Sequence, residues 1–323
     1  MNTQKVFIIG AGGHVGASAA YAMALRRAAC EIVLIDSSAA RATAQSMDIM
    51  DAAACGGNVV VRAGDYQDIA AGDIVMICAG KAQQPGQTRM DLLAANAQIV
   101  RDITAKVVAQ SKDIYLVIVT NPVDVMTVVA QQTAGCTPGR VFGTGTALDS
   151  DRLRVAIAQQ LGVAPSQVQA FTLGEHGDSS FSALYGATVG NIPLRLLPGY
   201  SEAWAAELDQ TVRHKAYQII AAKGSTCYGI GRVMSEVAEA LTCRQPRIMP
   251  LSVPVDGEYG LHGVTLSVPC TISRRGAFPL GHYPLSMAEH SKLQASADII
   301  QSAIASLPST DELLAGEPVS VVP

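Results

Sequence analysis

Residues 5–16 read KVFIIGAGGHVG, in which a short β-branched and aromatic run passes directly into a glycine-rich turn. From Gly16 to about Arg27 the pattern favours a helix, and residues 31–35 (EIVLI) form a second apolar run that ends at Asp36. A strand, a glycine turn, a helix and a second strand in this order are typical of a βαβ unit, whose two strands are parallel. The stretch therefore predicts that the chain opens with a parallel sheet.

The same alternation continues outward from this stretch to about residue 144. Further apolar runs, with helical patterns between them, lie at 59–61, 73–78, 114–119 and 140–143. Buried parallel strands read as such short continuous apolar runs because helices cover both faces of the sheet. Repeated βαβ units predict an α/β fold, with a doubly wound parallel sheet formed by residues 1–144.

The second half of the chain, residues 145–323, has a different character. Helical patterns there mix with β-like segments at 168–173, 248–255 and 263–272. This mixture predicts a second, C-terminal α+β domain. No Ser/Gly-rich linker separates the two halves, so we expect them to pack tightly against each other.

Composition and charge exclude several classes of protein. The chain has 323 residues, 49% of them hydrophobic and 15% charged, which suits about two domains with a sizeable core. The net charge is −4 without any Lys/Arg run, so the electrostatic footprint of nucleic-acid binding is absent. The apolar runs near the N-terminus are too short for a signal peptide or a membrane span, and the seven cysteines include no Cys-x-x-Cys pair. We expect a cytoplasmic protein with no membrane partner and no bound metal.

The glycine turn also carries a binding prediction. Gly10, Gly12, Gly13 and Gly16 bring backbone N–H groups and a helix N-terminus to one place, which suits a pyrophosphate. Their spacing is one residue longer than the usual G-x-G-x-x-G, so it does not specify which glycine contacts the phosphate. Asp36, at the end of the second strand, would hydrogen-bond a ribose 2′-hydroxyl and repel a 2′-phosphate. These residues predict binding of NAD in preference to NADP.

Side chains suited to proton transfer and anion binding cluster in three segments, 83–89 (QQPGQTR), 148–154 (LDSDRLR) and 174–178 (GEHGD). Histidine side chains ordinarily titrate near neutral pH, and His176 is flanked by glycines and acids, so it suits giving and taking a proton. Asp149 and Arg152 are three residues apart on a predicted helix and therefore neighbours. A guanidinium can bind a carboxylate, and a second arginine can polarise a carbonyl. With a nicotinamide as hydride donor, the set suits reduction of a 2-oxo acid.

The motifs together resemble those of the L-lactate/malate dehydrogenase family, over nearly the whole chain from Val6 to about Leu307. The resemblance rests on the glycine turn and on residues 32–36, 78–80, 83–96, 120–124, 148–154 and 174–178. It implies a Rossmann-type dinucleotide-binding domain followed by a catalytic domain. It also implies NAD as cofactor, a small 2-oxo or 2-hydroxy acid as substrate, and a homo-oligomer, since relatives are usually tetramers.

The resemblance implies roles for individual residues. His176 would be the proton donor and acceptor, and Asp149 would orient its imidazole. Arg152 would clamp the substrate carboxylate, and Arg89 would polarise the substrate carbonyl from a closing loop. Asn121 would lie near the nicotinamide and the substrate oxygen.

One position in the 83–89 segment separates the branches of the family. Malate dehydrogenases carry an arginine there for the second carboxylate of the substrate, whereas this chain has Gln83. A neutral amide cannot compensate that charge, so oxaloacetate should be disfavoured. Gln83 and Thr226, which would line the substrate pocket, both resemble the lactate subgroup. We therefore expect interconversion of pyruvate and L-lactate, with malate or another L-2-hydroxy acid as the alternative.

The chain departs from the family pattern at two places. Asp151 stands where many relatives have a small apolar residue, so it either weakens the grip of Arg152 or favours the helix N-terminus. Gln169 replaces a histidine found in relatives activated by fructose bisphosphate, while Arg154 matches the other residue of that effector site. We expect weak or absent activation.

Two other classes of protein are alternatives, of which the first also joins an NAD-binding domain to an α+β domain. Metal- and NAD-dependent glycosidases need a Cys/His metal pair, yet no cysteine lies close in sequence to His176, and the arginines would be unexplained. A non-catalytic NAD-binding protein would not need every catalytic position filled. Turnover of a 2-oxo acid separates these alternatives.

Overall fold

A doubly wound parallel sheet forms the first half of the chain in the computed structural model, which describes residues 4–54, 58–81, 89–242 and 246–307, with residues 89–91 as backbone alone. The six parallel strands found in these described ranges are β1 (Val6–Ile9), β2 (Glu31–Ile35), β3 (Val60–Ala63), β4 (Ile74–Ile77), β5 (Tyr115–Ile118) and β6 (Val141–Gly143). They lie in the order β3-β2-β1-β4-β5-β6, so the order reverses between β1 and β4. Ligands of such sheets bind at the carboxyl ends of the strands, beside the reversal.

Helices cover both faces of this sheet, and their bounds are α1 (His14–Arg26), α2 (Ala39–Ala54), α3 (Arg89–Gln110) and α4 (Val123–Ala134). Apart from β3 at the edge of the sheet, the strands beneath are almost wholly buried; every residue of β1 is 3% exposed or less. This explains their continuous apolar sequences, and the predicted parallel sheet is confirmed.

Among its described residues, the second half contributes four α-helices and six strands. Their bounds are α5 (Ala147–Leu161), β7 (Val168–Leu173), β8 (Phe181–Val189), β9 (Ile192–Pro193), α6 (Glu202–Lys223), α7 (Tyr228–Thr242), β10 (Arg247–Val255), β11 (Val264–Ser273), β12 (Gly276–Pro279) and α8 (Met287–Ala305). Strands β7, β8 and β9 form a separate antiparallel sheet. The β-like segments at 168–173, 248–255 and 263–272 are thus confirmed, whereas β8, β9 and β12 had no matching prediction.

Strands β10, β11 and β12 extend the parallel sheet instead of forming a sheet of their own. They pair antiparallel with one another, and β10 joins β6 through the pair Ser252 and Gly143. The result is one nine-stranded sheet, and one continuous apolar core contains residues of both halves. The expected tight packing of the halves is therefore present.

Helices α1 and α7 provide a second junction between the halves. A Cβ at Gly231 on α7 would lie 2.9 Å from the carbonyl carbon of Ser18 on α1, so the two helices touch through backbone. Arg26 and Glu239 close the same junction with an ion pair of 2.8 Å. The end of α1 that bears the glycine turn is thus held against the second half.

Within the described residues, no helix combines the length and the apolar character needed to cross a membrane.

Candidate active site

The glycine turn lies at the carboxyl end of β1, where α1 begins. Gly10 has a φ of +88°, and a Cβ there would lie 2.6 Å from the backbone nitrogen of Ala79. A Cβ at Gly16 would lie 2.6 Å from the carbonyl oxygen of Gly10. Only glycine at these positions lets α1 start directly against the strand. Gly13 and His14, at the tip of the turn, are exposed at this edge of the sheet.

Asp36 adjoins the same turn. Its carboxylate accepts hydrogen bonds from the backbone N–H of Gly12 at 2.8 Å and from that of Ser38 at 3.0 Å. A Cβ at Gly12 would lie 2.8 Å from the carboxylate carbon, so the side chain of Asp36 could not stay in this position beside a larger residue. Each carboxylate oxygen keeps lone pairs for further donors. The turn, the N-terminus of α1 and Asp36 therefore fit an adenine dinucleotide with a free 2′-hydroxyl.

The first turns of α5 hold a buried ion pair. Arg152 Nη1 donates to Asp149 Oδ1 at 2.9 Å, with the two side chains 9% and 10% exposed. The predicted neighbour relation is confirmed. The helix is fixed to β7 because Ser150 Oγ accepts the backbone N–H of Thr172 at 2.8 Å. Within the described part of the chain Arg152 has this single side-chain partner, so most of its donors are available to a ligand.

His176 completes this group. Its Nδ1 lies 2.6 Å from Asp149 Oδ2, and its side chain is 28% exposed. Burial alone would lower the pKa of His176, but the charge of Asp149 and its hydrogen bond outweigh burial and raise it above the ordinary value. Burial would likewise raise the pKa of Asp149, but His176 and then Arg152 hold it below the ordinary value. The charged imidazolium and carboxylate are therefore favoured as a pair.

The loop that carries His176 is pinned to its neighbours by backbone contacts. Gly174, with a φ of +89°, exchanges two backbone hydrogen bonds with Ser267 on β11 at 3.0 and 3.1 Å. The N–H of Glu175 donates to Ser296 Oγ at 3.2 Å. A Cβ at Gly174 would lie 2.5 Å from that same hydroxyl, which explains the glycine before the Glu-His pair.

Asp124 is a residue of this region to which the sequence prediction assigned no role. It lies in the first turn of α4 and is 1% exposed. Its carboxylate accepts the backbone N–H of His176 at 2.7 Å and the hydroxyl of Ser252 at 2.6 Å. Burial raises the pKa of Asp124 to about 6. Its position in the motif at 120–124 was the only available sign, since contacts across 52 and 128 residues leave no local spacing pattern.

Asn121 lies at the carboxyl edge of the sheet, after β5. Its carbonyl oxygen accepts a hydrogen bond from Asn96 Nδ2 at 2.9 Å, and its peptide bond to Pro122 is cis. Asn96 is buried on α3 and also accepts the backbone N–H of Lys81 at 2.7 Å. Asn121 is itself exposed, as a residue that meets a ligand at this edge would be.

Of the remaining predicted substrate residues, the structure describes Thr226 but neither Gln83 nor the side chain of Arg89. Thr226 is half-buried in the segment between α6 and α7, and its neighbour Ser225 lies 3.2 Å from His14 Nδ1 in the glycine turn. That segment therefore adjoins the predicted cofactor site. Gln83 lies outside the described residues. Arg89 is the first residue of α3, and its side chain is outside the description.

Asp151 forms no ion pair with Arg152 within the described part of the chain. Its carboxylate pairs with Arg154 at 3.0 Å and with Arg232 on α7 at 2.7 Å. The charge of Asp151 is thus engaged by two other guanidinium groups, which argues against the weakening of Arg152 considered above. Gln169, on β7, is exposed.

The fold and this geometry define a class: two-domain proteins in which a dinucleotide-binding sheet presents its carboxyl edge to a buried Asp–Arg pair and a histidine. Family models place the chain within that class. The NAD binding domain of lactate/malate dehydrogenase matches residues 4–143, and the alpha/beta C-terminal domain of the same proteins matches residues 146–309. The chain therefore belongs to the lactate/malate dehydrogenase family, and its first half is the NAD-binding domain of that family.

Individual relatives match over nearly the full length. An L-lactate dehydrogenase of Nitratidesulfovibrio vulgaris is 42% identical over 308 residues, which are 94% of this chain and 99% of that protein. The structure of a minor L-lactate dehydrogenase from Enterococcus mundtii is 35% identical with a TM-score of 0.91, covering 95% of this chain and 99% of that one. A malate dehydrogenase from Salinibacter ruber is 32% identical with a TM-score of 0.86, covering 94% and 97%.

Proposed function

We propose that the protein is an NAD-dependent L-lactate dehydrogenase, which interconverts pyruvate and L-lactate. The observation that carries the proposal is the linked group of Arg152, Asp149 and His176, with contacts of 2.9 and 2.6 Å. Asp124 connects this group to the domain that bears the glycine turn. An anion-binding guanidinium beside a proton-donating imidazolium suits a substrate with a carboxylate next to a carbonyl.

The proposed mechanism assigns one task to each side chain. Arg152 binds the substrate carboxylate through its available N–H groups and so orients the neighbouring carbonyl. His176, whose Nδ1 is engaged by Asp149, donates the proton from Nε2 to the carbonyl oxygen as negative charge develops there. In the reverse direction the neutral ring takes the proton from the hydroxyl of lactate. Asp149 fixes the tautomer and the orientation of the ring.

NAD, when bound, supplies or accepts the hydride at the substrate carbon. The residues proposed to hold it are Asp36 and the glycines at positions 10, 12, 13 and 16, with Asn121 near the nicotinamide. The carboxylate of Asp36 favours NAD over NADP because a 2′-phosphate would bring a second negative charge against it. Arg89 is proposed to polarise the carbonyl from the neighbouring segment.

The choice of pyruvate over oxaloacetate depends on Gln83 and Thr226. A neutral Gln83 leaves the second carboxylate of oxaloacetate unpaired within the pocket, which disfavours that substrate. The names of the N. vulgaris and E. mundtii relatives support the same choice. Malate and other L-2-hydroxy acids are the alternative substrates, because the matching family includes both activities.

The test compares kcat/KM for NADH oxidation with pyruvate and with oxaloacetate. We expect pyruvate to exceed oxaloacetate by about 100-fold or more, since an uncompensated buried charge costs several kcal/mol. A preference for oxaloacetate would contradict the role of Gln83 while leaving the hydride chemistry intact. Turnover of neither substrate would refute the proposed activity.

We further propose a domain boundary between residues 144 and 145, supported by the two family models, which end at 143 and begin at 146. We propose a homotetramer and a cytoplasmic location on the family resemblance. The free state of the five cysteines within the described residues is in keeping with a reducing compartment. Mass measurement in solution tests the tetramer.

A further inference from the structure

Asp124 is a buried carboxylate held between three elements. From the first turn of α4 it accepts the backbone N–H of His176 at 2.7 Å and the hydroxyl of Ser252, on β10, at 2.6 Å. Buried carboxylates are costly unless hydrogen-bonded, and here both oxygens have a partner. The helix N-terminus adds a favourable partial positive charge. The carboxylate is therefore a fully hydrogen-bonded, buried group that directly supports the backbone of His176.

The groups around Asp124 favour its ionised form at neutral pH. Burial raises the pKa of Asp124, and the charge of Glu175 raises it slightly further. The hydrogen bonds from Ser252 and from the backbone of His176 lower it, as does the charge of His176. The resulting pKa is about 6. The charged and titratable groups that face this region from the packed elements are His176 and Glu175 from the loop after β7, and Asp149 and Arg152 from α5. Above about pH 7 Asp124 is thus mostly a carboxylate beside the histidine.

We propose that Asp124 is a positioning residue for the proton transfer: it fixes the backbone of His176 and stabilises the charged imidazolium from the side of the cofactor domain. The inference rests on the proposed function. It makes His176 the meeting point of two carboxylates, Asp149 at its ring from the second half and Asp124 at its backbone from the first.

This arrangement explains how the histidine keeps its place although it sits in a loop. The ring is 28% exposed, so packing alone does not fix it. One end of the residue is held through its N–H and the other through Nδ1, at 2.7 and 2.6 Å. Two short hydrogen bonds to charged acceptors define both the position and the orientation of the ring. A displacement of the backbone would move Nε2 away from the substrate carbonyl.

The variants Asp124→Asn and Asp124→Ala separate the effect of the carboxylate charge from that of the hydrogen bond to the His176 backbone. The asparagine oxygen still accepts the His176 N–H and its amide can donate to Ser252, so geometry is kept while the charge is lost. We expect near-normal kcat at low pH, with the high-pH decline of kcat/KM for pyruvate moved down by about 0.5 unit or more. In the alanine variant the buried N–H is left unpaired, and we expect kcat to fall roughly 10- to 100-fold with a smaller change in KM.

A matched control is Asp73→Asn at the opposite edge of the sheet. Asp73 is 2% exposed and also accepts two hydrogen bonds, from the backbone N–H groups of Lys5 at 2.8 Å and Ala70 at 2.9 Å. We expect this variant to keep the wild-type pH profile. An unchanged profile in Asp124→Asn, an equal shift in Asp73→Asn, or losses explained by a smaller folded fraction would overturn the inference.

A second readout does not depend on turnover. The ring of His176 is titrated by NMR in histidine-labelled protein without cofactor, with the signal assigned by its loss in His176→Gln. A lower midpoint in Asp124→Asn than in wild type supports the inference even if pyruvate is not reduced. An equal midpoint overturns it, whereas failure of the wild type to reduce pyruvate refutes only the proposed function.

Discussion

At the scale of single residues, Asp149 carries two contacts at once, to His176 through Oδ2 and to Arg152 through Oδ1. Replacing it by asparagine removes the charge that raises the pKa of His176. Pyruvate reduction needs the protonated ring, so its pH limit should move to lower pH. We expect Asp149→Asn to lower kcat/KM for pyruvate at pH 7.5 by about 100-fold or more, measured as a full pH profile.

The neighbouring acid is the control for that variant. Asp151 lies on the same helix but pairs with Arg154 and Arg232, away from the histidine. Asp151→Asn should leave the pH profile in place and change kcat/KM less than about threefold, because its ion pairs are partly solvated and lie away from the histidine. If Asp149→Asn and Asp151→Asn lowered kcat/KM equally, the contacts of Asp149 with His176 and Arg152 would have no special role in catalysis.

Asp36 governs the choice of cofactor in our proposal. The variant Asp36→Asn keeps an oxygen for the Gly12 N–H but removes the charge that would repel a 2′-phosphate. We expect the ratio of NADPH to NADH dissociation constants to fall roughly tenfold, equivalent to about 1.4 kcal/mol. Fluorescence titration of both cofactors measures it. An unchanged ratio would assign cofactor selection to other residues.

At the scale of elements, the start of α1 depends on the absence of a side chain at Gly16. A Cβ there would lie 2.6 Å from a backbone oxygen, whereas one at Gly13 would lie no closer than 3.4 Å to any atom. Gly16→Ala should destabilise the protein without cofactor by about 1–3 kcal/mol. Gly13→Ala should cost less than about 1 kcal/mol. Urea unfolding of both variants tests this, and equal losses would contradict it.

Helix α5 and strand β7 bear on effector binding. Arg154 is occupied by Asp151 at 3.0 Å and by the carbonyl oxygen of Ser150 at 3.2 Å, and Gln169 carries no positive charge. A sugar bisphosphate therefore finds few available cations at these two positions. We expect pyruvate kinetics to be unchanged when fructose bisphosphate is added. A large fall in the apparent KM for pyruvate would contradict this expectation.

The elements also show what the sequence could predict. The parallel half was predictable because each buried strand is a continuous apolar run bounded by glycine or polar residues, as at 5–16. The Asp149–Arg152 pair was predictable because a helix fixes the neighbours of each residue. Asp124 received no role because its contact with His176 is long-range and uses a backbone group. The docking of β10 on β6 rests on one residue pair, which no local pattern reveals.

At the scale of the whole molecule, the pair of His176 and Asp149 links stability to pH. The pKa of His176 is raised in the folded protein, so the pair contributes stability that is fully present below about pH 6.5, the ordinary histidine value. That contribution is lost as the pH rises through the pKa of His176 in the folded protein, because the imidazole then loses the proton that the folded state had retained. The wild-type protein should therefore have a higher Tm than the His176→Gln variant, and this difference should be largest at low pH.

Thermal unfolding of the two proteins from pH 5.5 to pH 9 measures this difference. The gap in Tm should narrow steadily toward alkaline pH, while the glutamine keeps a hydrogen-bonding group for Asp149. A constant gap across the range would mean that the imidazole contributes through packing rather than through its charge.

The junction of β6 and β10 has a consequence for the newly made chain. A ribosome-bound segment that ends near residue 144 already contains the glycine turn and Asp36, but the strand that docks on β6 begins only at Arg247. Residues 144–246 must therefore be synthesised before β10 can dock on β6, a loop closure that slows folding. Nascent chains expose the unpaired edge of β6 during this interval, and such edges invite pairing with other chains. Chaperone demand should consequently be greatest in the interval before β10, residues 247–255, has emerged.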